Sequence, residues 1–503
     1  MKPLSLQMFI DGRWVSSMSK KTDPIINPAD ESVIARVPRG TKKDVDHAVK
    51  AARKAFENDW RFTTGGERGA LLWKLADLLE ENAKHFAELE SRNTGKTIRY
   101  ATESDLPMAI DNLRFFAGAT RCLEGKPFGE YANYMEKNRR MPLGSSWIRR
   151  EPLGVIGAIV PWNYPLLIAV WKIGPVLAAG NTLVIKPASL TPITLLELAK
   201  LAEKAGFPKG VLNVVTGPGK EVGEALASHG DVNMIYLTGN IETGKILMNR
   251  ATKNMKRVHL ELGGKAPQVI LPDADIEAAA RAATAGAFWN TGQDCTAITR
   301  VYVHEDMHDA FLKLLLREVK KMVMGDPSKD TTDLGPLVSA AHRDRVERFI
   351  REGKKKARLV CGGNRLGAKG FFVEPTIFTD VPHTSDLCQK EIFGPVLSIF
   401  RYKKVDDALQ KANDTIYGLA ASVWGKDMTT LIRSANMLQF GTVWINEHGA
   451  LVSEMPHGGF KQSGFGKDLS LYALEECTQI KHIYVDQTGL AKKPWHATIY
   501  HKA

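Results

Sequence analysis

A chain of 503 residues is too long for one simple hydrophobic core, and the usual size of domains predicts two or three units. The apolar fraction of 44% and the charged fraction of 25% are typical of globular proteins. The net charge of +12 comes with abundant acidic residues and with no zinc-finger or RNA-binding signature. We therefore expect no nucleic-acid partner, and attraction of an anionic cofactor is a sufficient use for the basic excess.

The five cysteines are scattered, and none belongs to a CxxC pair or to a cysteine–histidine cluster with zinc spacing. We predict neither a metal site nor a disulfide framework. An odd cysteine count fits a reducing compartment. The first residues leave no room for the apolar region of a signal peptide, and no stretch reaches the roughly 18 apolar residues that span a bilayer. These features predict a cytoplasmic protein without a membrane partner.

The first 150 residues predict short strands, helices and a ribbon. A strand–turn–strand covers residues 8–15, a helix covers residues 41–56, and helical periodicity runs through residues 67–123 with a break near Gly95. Residues 130–150 alternate like strands and carry many charges and several large apolar side chains, namely Tyr131, Tyr134, Met135, Trp147 and Ile148. A compact domain has no obvious place for such a ribbon, so we predict an arm.

From residue 154 the pattern becomes an alternation of buried strands and helices. The predicted strands cover residues 154–160, 182–185, 211–215, 234–237, 268–271 and 300–303. The predicted helices cover residues 166–178, 194–205, 220–228 and 275–288, with a further helix beginning at residue 242. Such alternation indicates parallel, doubly wound sheets, and its resumption after residue 266 predicts a second α/β domain. The polar tail at residues 487–503 is not assigned to an element.

Residues 234–244 combine a strand, a glycine-containing turn at Gly239 and a helix start at Asn240. The N-terminus of such a helix suits a pyrophosphate. An ordinary tight turn is an equal alternative, because the spacing is GxxxxG and no P-loop lysine follows. Lys186 stands at the end of another predicted strand, where it could bind a ribose or a phosphate or be a surface cation.

Three segments supply the groups of a covalent mechanism: Asn163 in PWNYP, Glu261 in ELGGK and Cys295 in NTGQDC. A Cys295 thiolate could attack an aldehyde carbon, and the Asn163 amide with the Cys295 backbone N–H could stabilise the oxyanion. Glu261 could activate the water that hydrolyses the resulting thioester. Each residue alone could instead be structural, as a packed thiol, a helix cap or a surface acid.

Five blocks in this order resemble the signature blocks of the aldehyde dehydrogenase superfamily. They cover residues 161–165 (PWNYP), 261–265 (ELGGK), 292–296 (GQDCT), 391–396 (EIFGPV) and 455–464 (MPHGGFKQSG). The resemblance extends over residues 9–485. It implies a Rossmann-like cofactor domain at residues 1–129 and 151–262 and a catalytic α/β domain at residues 263–460. It also implies a homo-oligomer, dimer or tetramer, with an arm and tail at residues 130–150 and 461–503.

The resemblance also implies roles for individual residues: Cys295 would be the nucleophile, Glu261 the base and Asn163 the oxyanion donor. It assigns cofactor contacts to Trp162, Lys186, Ser189, Thr238, Gly239, Asn240, Leu262, Glu391 and Phe393. The cofactor would be NAD or NADP. Many NAD-using members carry a glutamate where this chain has Ser189, and a carboxylate there would repel a 2′-phosphate. We therefore expect that the enzyme accepts NADP and could even prefer it to NAD.

Within the superfamily, the blocks around Cys295 and before Phe460 most resemble the gamma-aminobutyraldehyde and betaine aldehyde dehydrogenases. Aromatic faces could hold an ammonium at roughly 0.5 to 2 kcal/mol each, and Asp294 could complete the charge match. The predicted aromatic contacts are Tyr164, Trp171, Trp289 and Trp444. An equal alternative is an apolar tunnel for plain aliphatic or aromatic aldehydes.

Two further alternatives remain open at the level of the sequence. A non-catalytic protein of the same fold has no chemical need for Asn163, Glu261 and Cys295 together, so their joint presence favours an enzyme. Transfer of the acyl group to coenzyme A does not need a base that activates water, so Glu261 favours hydrolysis.

Overall fold

The computed structural model describes residues 3–125, 129–130, 144–489, 491–493, 496 and 499–500. Two large β-sheets, each with helices on its faces, organise these residues. The first sheet has eight strands, in the order Gly464–Phe465, Arg257–Glu261, Met234–Thr238, Val155–Ile159, Thr182–Lys186, Leu212–Val214, Met8–Ile10 and Arg13–Val15. Its five central strands are parallel, and the three strands at its edges are antiparallel.

Most residues of the five central strands are buried because helices cover both faces of the sheet. All five residues of Val155–Ile159 are buried, as parallel sheets require. The α-helices packed around the first sheet are Lys42–Asn58, Gly65–Glu81, Ala83–Thr94, Ile98–Tyr100, Leu106–Ala119, Pro165–Ala178, Ile193–Ala205, Glu224–Ser228, Ile241–Ala251 and Ser470–Glu476. The predicted break near Gly95 is confirmed, since Gly95 ends a helix at φ 84°. A second break, at Asn82, was not predicted.

The second sheet forms the predicted second α/β unit. Its seven strands follow the order Arg358–Cys361, Thr376–Thr379, Val396–Tyr402, Ile298–His304, Ala266–Ile270, Ala420–Trp424 and Thr442–Ile445. All neighbours are parallel except the first pair. The accompanying α-helices are Ile276–Phe288, His308–Val319, Ala340–Gly353, Asp386–Gln389, Val405–Asn413 and Met428–Met437. The predicted α/β fold class is therefore confirmed.

Two small sheets complete the described residues. One consists of Leu4–Ser5, Val33–Pro38 and Thr22–Ile26, and the other of Thr478–Asp486, Gly144–Pro152 and Gly129–Glu130. In the second, Trp147 lies opposite Ile483 in an antiparallel pair. This ribbon corresponds to the predicted arm, although Tyr131, Tyr134 and Met135 lie outside the described residues. No helix in the described ranges is long and apolar enough to cross a membrane.

The arm begins later than predicted on its C-terminal side. Residues 461–477 were assigned to the arm and tail, but Gly464–Phe465 extends the first large sheet. The following helix, Ser470–Glu476, buries Ala473 and Leu474 in the core of that domain, with Leu469 and Cys477 at its ends. These apolar side chains attach the segment to the first domain, and the strand from Thr478 onward pairs with Gly144–Pro152 in the small sheet.

The parallel strands of the first sheet end in register. Ile159 pairs with Lys186, Leu237 pairs with Ile159, and Thr238 pairs with Glu261. The loops that follow therefore leave from one edge of the sheet. This is the edge at which open α/β sheets bind ligands, and it faces the second domain through the segment 261–266.

Candidate active site

Three consecutive left-handed residues precede the predicted nucleophile. Asn290 has φ 44°, Thr291 has φ 57° and Gly292 has φ 70°. Left-handed backbone is unfavourable for a β-branched residue such as Thr291, at about 1–3 kcal/mol per strained residue. Such a turn persists only when its surroundings hold it, and the Thr291 hydroxyl is fixed by donating to the Gly335 carbonyl at 3.0 Å.

The predicted oxyanion donor holds this turn from the other domain. The Asn163 side-chain amide donates to the Gln293 carbonyl at 3.1 Å, and Asn290 donates back to the Asn163 carbonyl at 3.1 Å. Gln293 is itself fixed, because its side-chain oxygen accepts from the Val338 N–H at 2.9 Å. One N–H of the Asn163 amide is thus used for structure, and its second N–H is left for a ligand.

The thiol of Cys295 is half-buried beside a small apolar cluster that includes Leu419 and Trp444. Burial raises the pKa of this thiol well above its ordinary value, and the negative charges of Asp294 and Glu261 act in the same direction. The backbone N–H of Cys295 faces its own sulfur and opposes that shift. The same N–H is the second oxyanion donor that the sequence predicts.

Glycines of the segment 261–265 allow the cysteine turn to approach the first domain. A Cβ atom on Gly264 would lie 2.0 Å from the Cys295 carbonyl oxygen. This distance is a steric clash, so any residue other than glycine would require the backbone to shift. The nucleophile therefore packs directly on the block that carries Glu261.

Glu261 ends its strand with a buried carboxyl group. Burial raises the pKa of Glu261 well above its usual range, and Asp468 adds to the rise, whereas Lys172 and Lys467 oppose it. One carboxylate oxygen accepts from the Gly459 N–H at 3.3 Å, and the other lies 3.8 Å from Nε2 of His457. A carboxylate with a raised pKa binds a proton more readily than an exposed carboxylate, which suits a general base.

Beside this centre, Lys186 and Ser189 follow the next strand of the sheet. Lys186 is buried, its ammonium donates to the Pro187 carbonyl at 2.5 Å, and burial lowers its pKa to about 8. Ser189 is exposed and donates to the Gly217 carbonyl at 2.9 Å. The position is open enough for a group larger than a serine hydroxyl.

The predicted pyrophosphate turn leads directly into the N-terminus of a helix. Asn240 caps Ile241–Ala251 by accepting from the Thr243 N–H at 2.8 Å, and the Gly239 N–H donates to the Glu261 carbonyl at 2.9 Å. The buried hydroxyl of Thr238 has no hydrogen-bond partner among the described residues. Leu262 is buried beneath this helix and packs near Gly244.

Glu391 and Phe393 approach the same edge from the second domain. The Glu391 carboxylate accepts from the Gly264 N–H at 2.8 Å, and burial raises its pKa to about 7. Phe393 has φ 63°, and its ring meets that of Trp162 edge-on at 5.2 Å. Glu391 and Phe393 thus reach Gly264 and Trp162 of the first domain, and the cofactor roles of the nine residues stay predictions.

Asp294 is more strongly engaged within the protein than the sequence implied. One of its carboxylate oxygens accepts from the Tyr164 hydroxyl at 2.6 Å, and the other from the N–H and the hydroxyl of Thr296 at 2.5 and 2.6 Å. Lys96 covers one face of the Tyr164 ring at 4.2 Å, but its ammonium is paired with Asp105. The charge of Asp294 therefore has no cation of its own among these neighbours.

The remaining predicted aromatics occupy different surroundings. Trp171 is buried, and its ring lies 5.5 Å from that of His457. Trp444 packs in the apolar cluster of Cys295 and donates to the Ala450 carbonyl at 2.8 Å. Trp289 is partly exposed, and its indole N–H has no partner within the described part of the chain.

Two buried histidines of this site were not identified from the sequence. His448 donates to the Thr296 carbonyl at 2.8 Å and accepts from the Ser422 hydroxyl at 3.0 Å, which fixes the residue next to Cys295. His457 lies against Glu261. Burial lowers the pKa of each histidine to about 4, so both rings are neutral. The only signal for His457 was its place in the closing sequence block.

Comparison with known proteins agrees with this architecture. The model of the aldehyde dehydrogenase family matches residues 14–483. Betaine aldehyde dehydrogenase of Bacillus subtilis (strain 168) is 43% identical over 487 residues, covering 96% of this chain and 97% of that protein. Aldehyde dehydrogenase 1A1 of Homo sapiens is 42% identical over 483 residues, covering 95% of this chain and 94% of that protein.

Solved structures give the same result. The NAD+ complex of an aldehyde dehydrogenase from Bacillus cereus has a TM-score of 0.92 at 41% identity, covering 96% of this chain and 97% of that chain. Two doubly wound domains that enclose a thiol, a carboxyl and an amide define an α/β oxidoreductase. The chain belongs to the aldehyde dehydrogenase family, and the predicted resemblance is confirmed.

The contact between Gly264 and the cysteine turn generates a prediction. Gly264→Ala should lower kcat for aldehyde oxidation by about 100-fold, because displacement of a reacting group by about 1 Å can have an effect of that size. Gly118→Ala is the matched control, since a Cβ there meets nothing within 4 Å. Steady-state rates and Tm should be measured for both. Full activity of the Gly264 variant would contradict the close approach.

Proposed function

We propose that this enzyme oxidises an aldehyde to its carboxylic acid with NAD or NADP, through a thioester on Cys295. The observation that carries the proposal is the convergence of three groups. Asn163 is bonded to the turn before Cys295, and the block of Glu261 packs on the Cys295 carbonyl. A nucleophile, an oxyanion donor and a base with a raised pKa are the groups that acyl chemistry on a thiol requires.

The residues at the sheet edge fit a dinucleotide. The helix end at Asn240 offers N–H groups for a pyrophosphate, and the buried Thr238 hydroxyl lacks a partner in the described ranges. Lys186 and Glu391 could bind ribose hydroxyls as donor and acceptor, and the Trp162–Phe393 pair could flank the nicotinamide. The relative from Bacillus cereus is an NAD+ complex. The cofactor, when bound, accepts the hydride from the substrate carbon.

The chain's own residues would then act in a definite order. The Cys295 thiol gives its proton to solvent water and its sulfur forms a bond to the aldehyde carbon, while Asn163 and the Cys295 N–H bind the oxygen that gains charge. After oxidation the acyl group remains on sulfur. Glu261 takes a proton from water as the water oxygen bonds to the acyl carbon. The carbon–sulfur bond then breaks, which releases the acid and the Cys295 thiolate.

This mechanism predicts separate effects for two variants. Cys295→Ala should abolish turnover, and Glu261→Gln should lower kcat by about 10²- to 10⁴-fold, the usual contribution of a general base. The raised pKa of Glu261 should make wild-type kcat fall with decreasing pH above the ordinary carboxylate range, since only the ionised form accepts a proton. Stopped-flow absorbance of the reduced nicotinamide would measure these rates.

The same assay distinguishes the competing acceptor. Free coenzyme A should leave the wild-type rate unchanged if water is the acceptor. A rate that rises with coenzyme A, or a Glu261→Gln variant with normal kcat and pH profile, would contradict the proposed hydrolysis.

We infer that NADP is accepted because Ser189 leaves an uncharged, exposed position beside Gly217. Ser189→Glu should lower kcat/KM for NADP by about 10-fold or more relative to NAD, because two negative charges within a few ångströms repel. Ser189→Gln is the matched control, with a side chain of the same length and no charge. Both variants could change the ratio of kcat/KM for NADP to kcat/KM for NAD equally. In that case the size of the side chain and not its charge determines the cofactor preference, and the inference is wrong.

We also infer that the substrate is an aminoaldehyde. Asp294 lies next to the nucleophile, and the nearby ammonium of Lys96 is neutralised by Asp105. An ammonium group on the substrate would supply the missing positive charge without displacing the hydrogen bonds of Asp294. Betaine aldehyde dehydrogenases, whose name denotes a quaternary ammonium aldehyde, are among the relatives. Plain aliphatic or aromatic aldehydes remain the alternative substrate class.

Asp294→Asn tests this inference directly. The variant should lose at least about 10-fold in kcat/KM for 4-aminobutanal relative to propanal, since a desolvated charge pair contributes on this scale. Tyr164→Phe is the control, because it removes a hydrogen bond from Asp294 and keeps the charge. Equal losses for both aldehydes in the Asp294 variant would favour the apolar tunnel.

A homo-oligomer in the cytoplasm completes the proposal. The arm strand Thr478–Asp486 carries exposed apolar side chains, including Ile480 and Tyr484, that a second subunit could cover. None of the five cysteines is in a disulfide, which fits a reducing compartment.

A further inference from the structure

His457 is held rigidly beside Glu261. Its backbone forms a two-bond bridge with Asp468, at 2.8 and 2.7 Å, and its buried ring packs against Trp171 with centroids 5.5 Å apart. Asp468 is in turn fixed by an ion pair with Lys172, on the same helix as Trp171. The imidazole therefore has little freedom, and its Nε2 atom lies 3.8 Å from Oε2 of Glu261.

Two buried polar atoms at this point lack partners. Nδ1 of His457 and the indole N–H of Trp171 have no hydrogen-bond partner among the described residues. Leaving a buried donor or acceptor unpaired costs about 1–3 kcal/mol, so such atoms are usually satisfied by water or ligand. Both atoms belong to the packed Trp171–His457 ring pair, and the other ring nitrogen of His457, Nε2, lies 3.8 Å from Oε2 of Glu261. The surroundings of the Glu261 carboxyl group are thus polar as well as buried.

The charge state of His457 follows from its surroundings. Burial lowers its pKa to about 4, and the nearby ammonium groups of Lys467 and Lys172 contribute, while Asp468 and Asp294 oppose the shift. A neutral imidazole carries one N–H and one acceptor nitrogen. Only the Nε2–H form directs a donor toward the Glu261 carboxylate.

We propose that His457 is a positioning residue that holds the hydrolytic water against Glu261. A distance of 3.8 Å is too long for a direct hydrogen bond and allows one water to contact both atoms. The water oxygen accepts from Nε2–H and one water proton points to Oε2. The Gly459 N–H holds Oε1 at 3.3 Å, and Gly458 leaves room because a Cβ there would lie 2.8 Å from Oε1.

The inference rests on the proposed thioester mechanism and adds one step to it. As the water oxygen bonds to the acyl carbon, its proton passes to Glu261 and the carbon–sulfur bond breaks. His457 keeps its own proton throughout. It therefore acts only through the orientation of the water, and it should matter for hydrolysis of the thioester and not for its formation.

Two substitutions separate these steps. His457→Phe keeps a ring against Trp171 and removes the N–H, and His457→Gln keeps an N–H donor near the position of Nε2. In rapid mixing with NAD and aldehyde, His457→Phe should retain the burst of reduced nicotinamide within about twofold. Its steady-state kcat should fall by about 10- to 100-fold, toward the lower end of general-base effects. His457→Gln should recover much of that loss.

Two additions make the experiment selective. Hydroxylamine, a nucleophile that needs no activated water, should restore the turnover of His457→Phe. His308→Gln is a control for loss of a buried histidine, since His308 pairs with Thr379 in the second domain. It should change Tm at most and leave the ratio of burst to steady state unchanged.

Three outcomes would overturn the inference. They are an unchanged steady-state kcat in His457→Phe, a parallel loss of burst and kcat, or a rise in KM for 4-aminobutanal alone with kcat retained. The last would make His457 a substrate contact. If the wild-type enzyme forms no thioester that hydroxylamine can trap, the proposed mechanism itself fails, and this inference fails with it.

Discussion

The strained turn at residues 290–292 is the constraint on which the site depends. Its left-handed backbone is unfavourable for Asn290 and Thr291, so the turn exists only because both domains hold it. The first domain contributes Asn163, in the loop after the central strand Val155–Ile159, and the second contributes Gly335. The same hydrogen bonds that hold the turn also fix the amide that would bind an oxyanion. One set of contacts would therefore both position Cys295 and hold the Asn163 amide that is predicted to stabilise the oxyanion.

Burial is the second organising influence, and it shifts the pKa values of several ionisable groups of the site. It raises the pKa values of Cys295, Glu261 and Glu391 and lowers that of Lys186. The same physical cause brings the pKa values of Glu391 and Lys186 to about 7 and about 8, whereas it moves the pKa of the Cys295 thiol further above neutral pH. Because burial excludes water, each hydrogen bond in the site is stronger than on the surface. For the same reason, each unpaired charge there costs more free energy. Strained backbone and buried charge are therefore found together around the thiol.

The region around Asp294 is a polar network next to the predicted nucleophile, Cys295. Its carboxylate is fully occupied by Tyr164 and Thr296. A carboxylate that accepts three hydrogen bonds is held in position, and under the proposed function its field would act on the substrate. A preorganised charge of this kind loses no side-chain freedom when a substrate binds, which favours selectivity.

The sequence by itself determined the fold class, the order of most strands and helices, and the family. Apolar runs that alternate with helical periodicity report burial on both faces of parallel strands, and the five blocks name Asn163, Glu261 and Cys295 in order. It could not place residues 461–477 in the first domain, because that depends on burial of Leu469 and Leu474 against residues far away in the chain. It also could not reveal the partners of Asp294 or the position of His457 beside Glu261, 196 residues away in sequence (457 − 261). Local pattern encodes which face of an element is buried, whereas contacts between distant loops arise only when the two sheets pack together. The tertiary structure alone therefore decided how the catalytic groups are held and oriented.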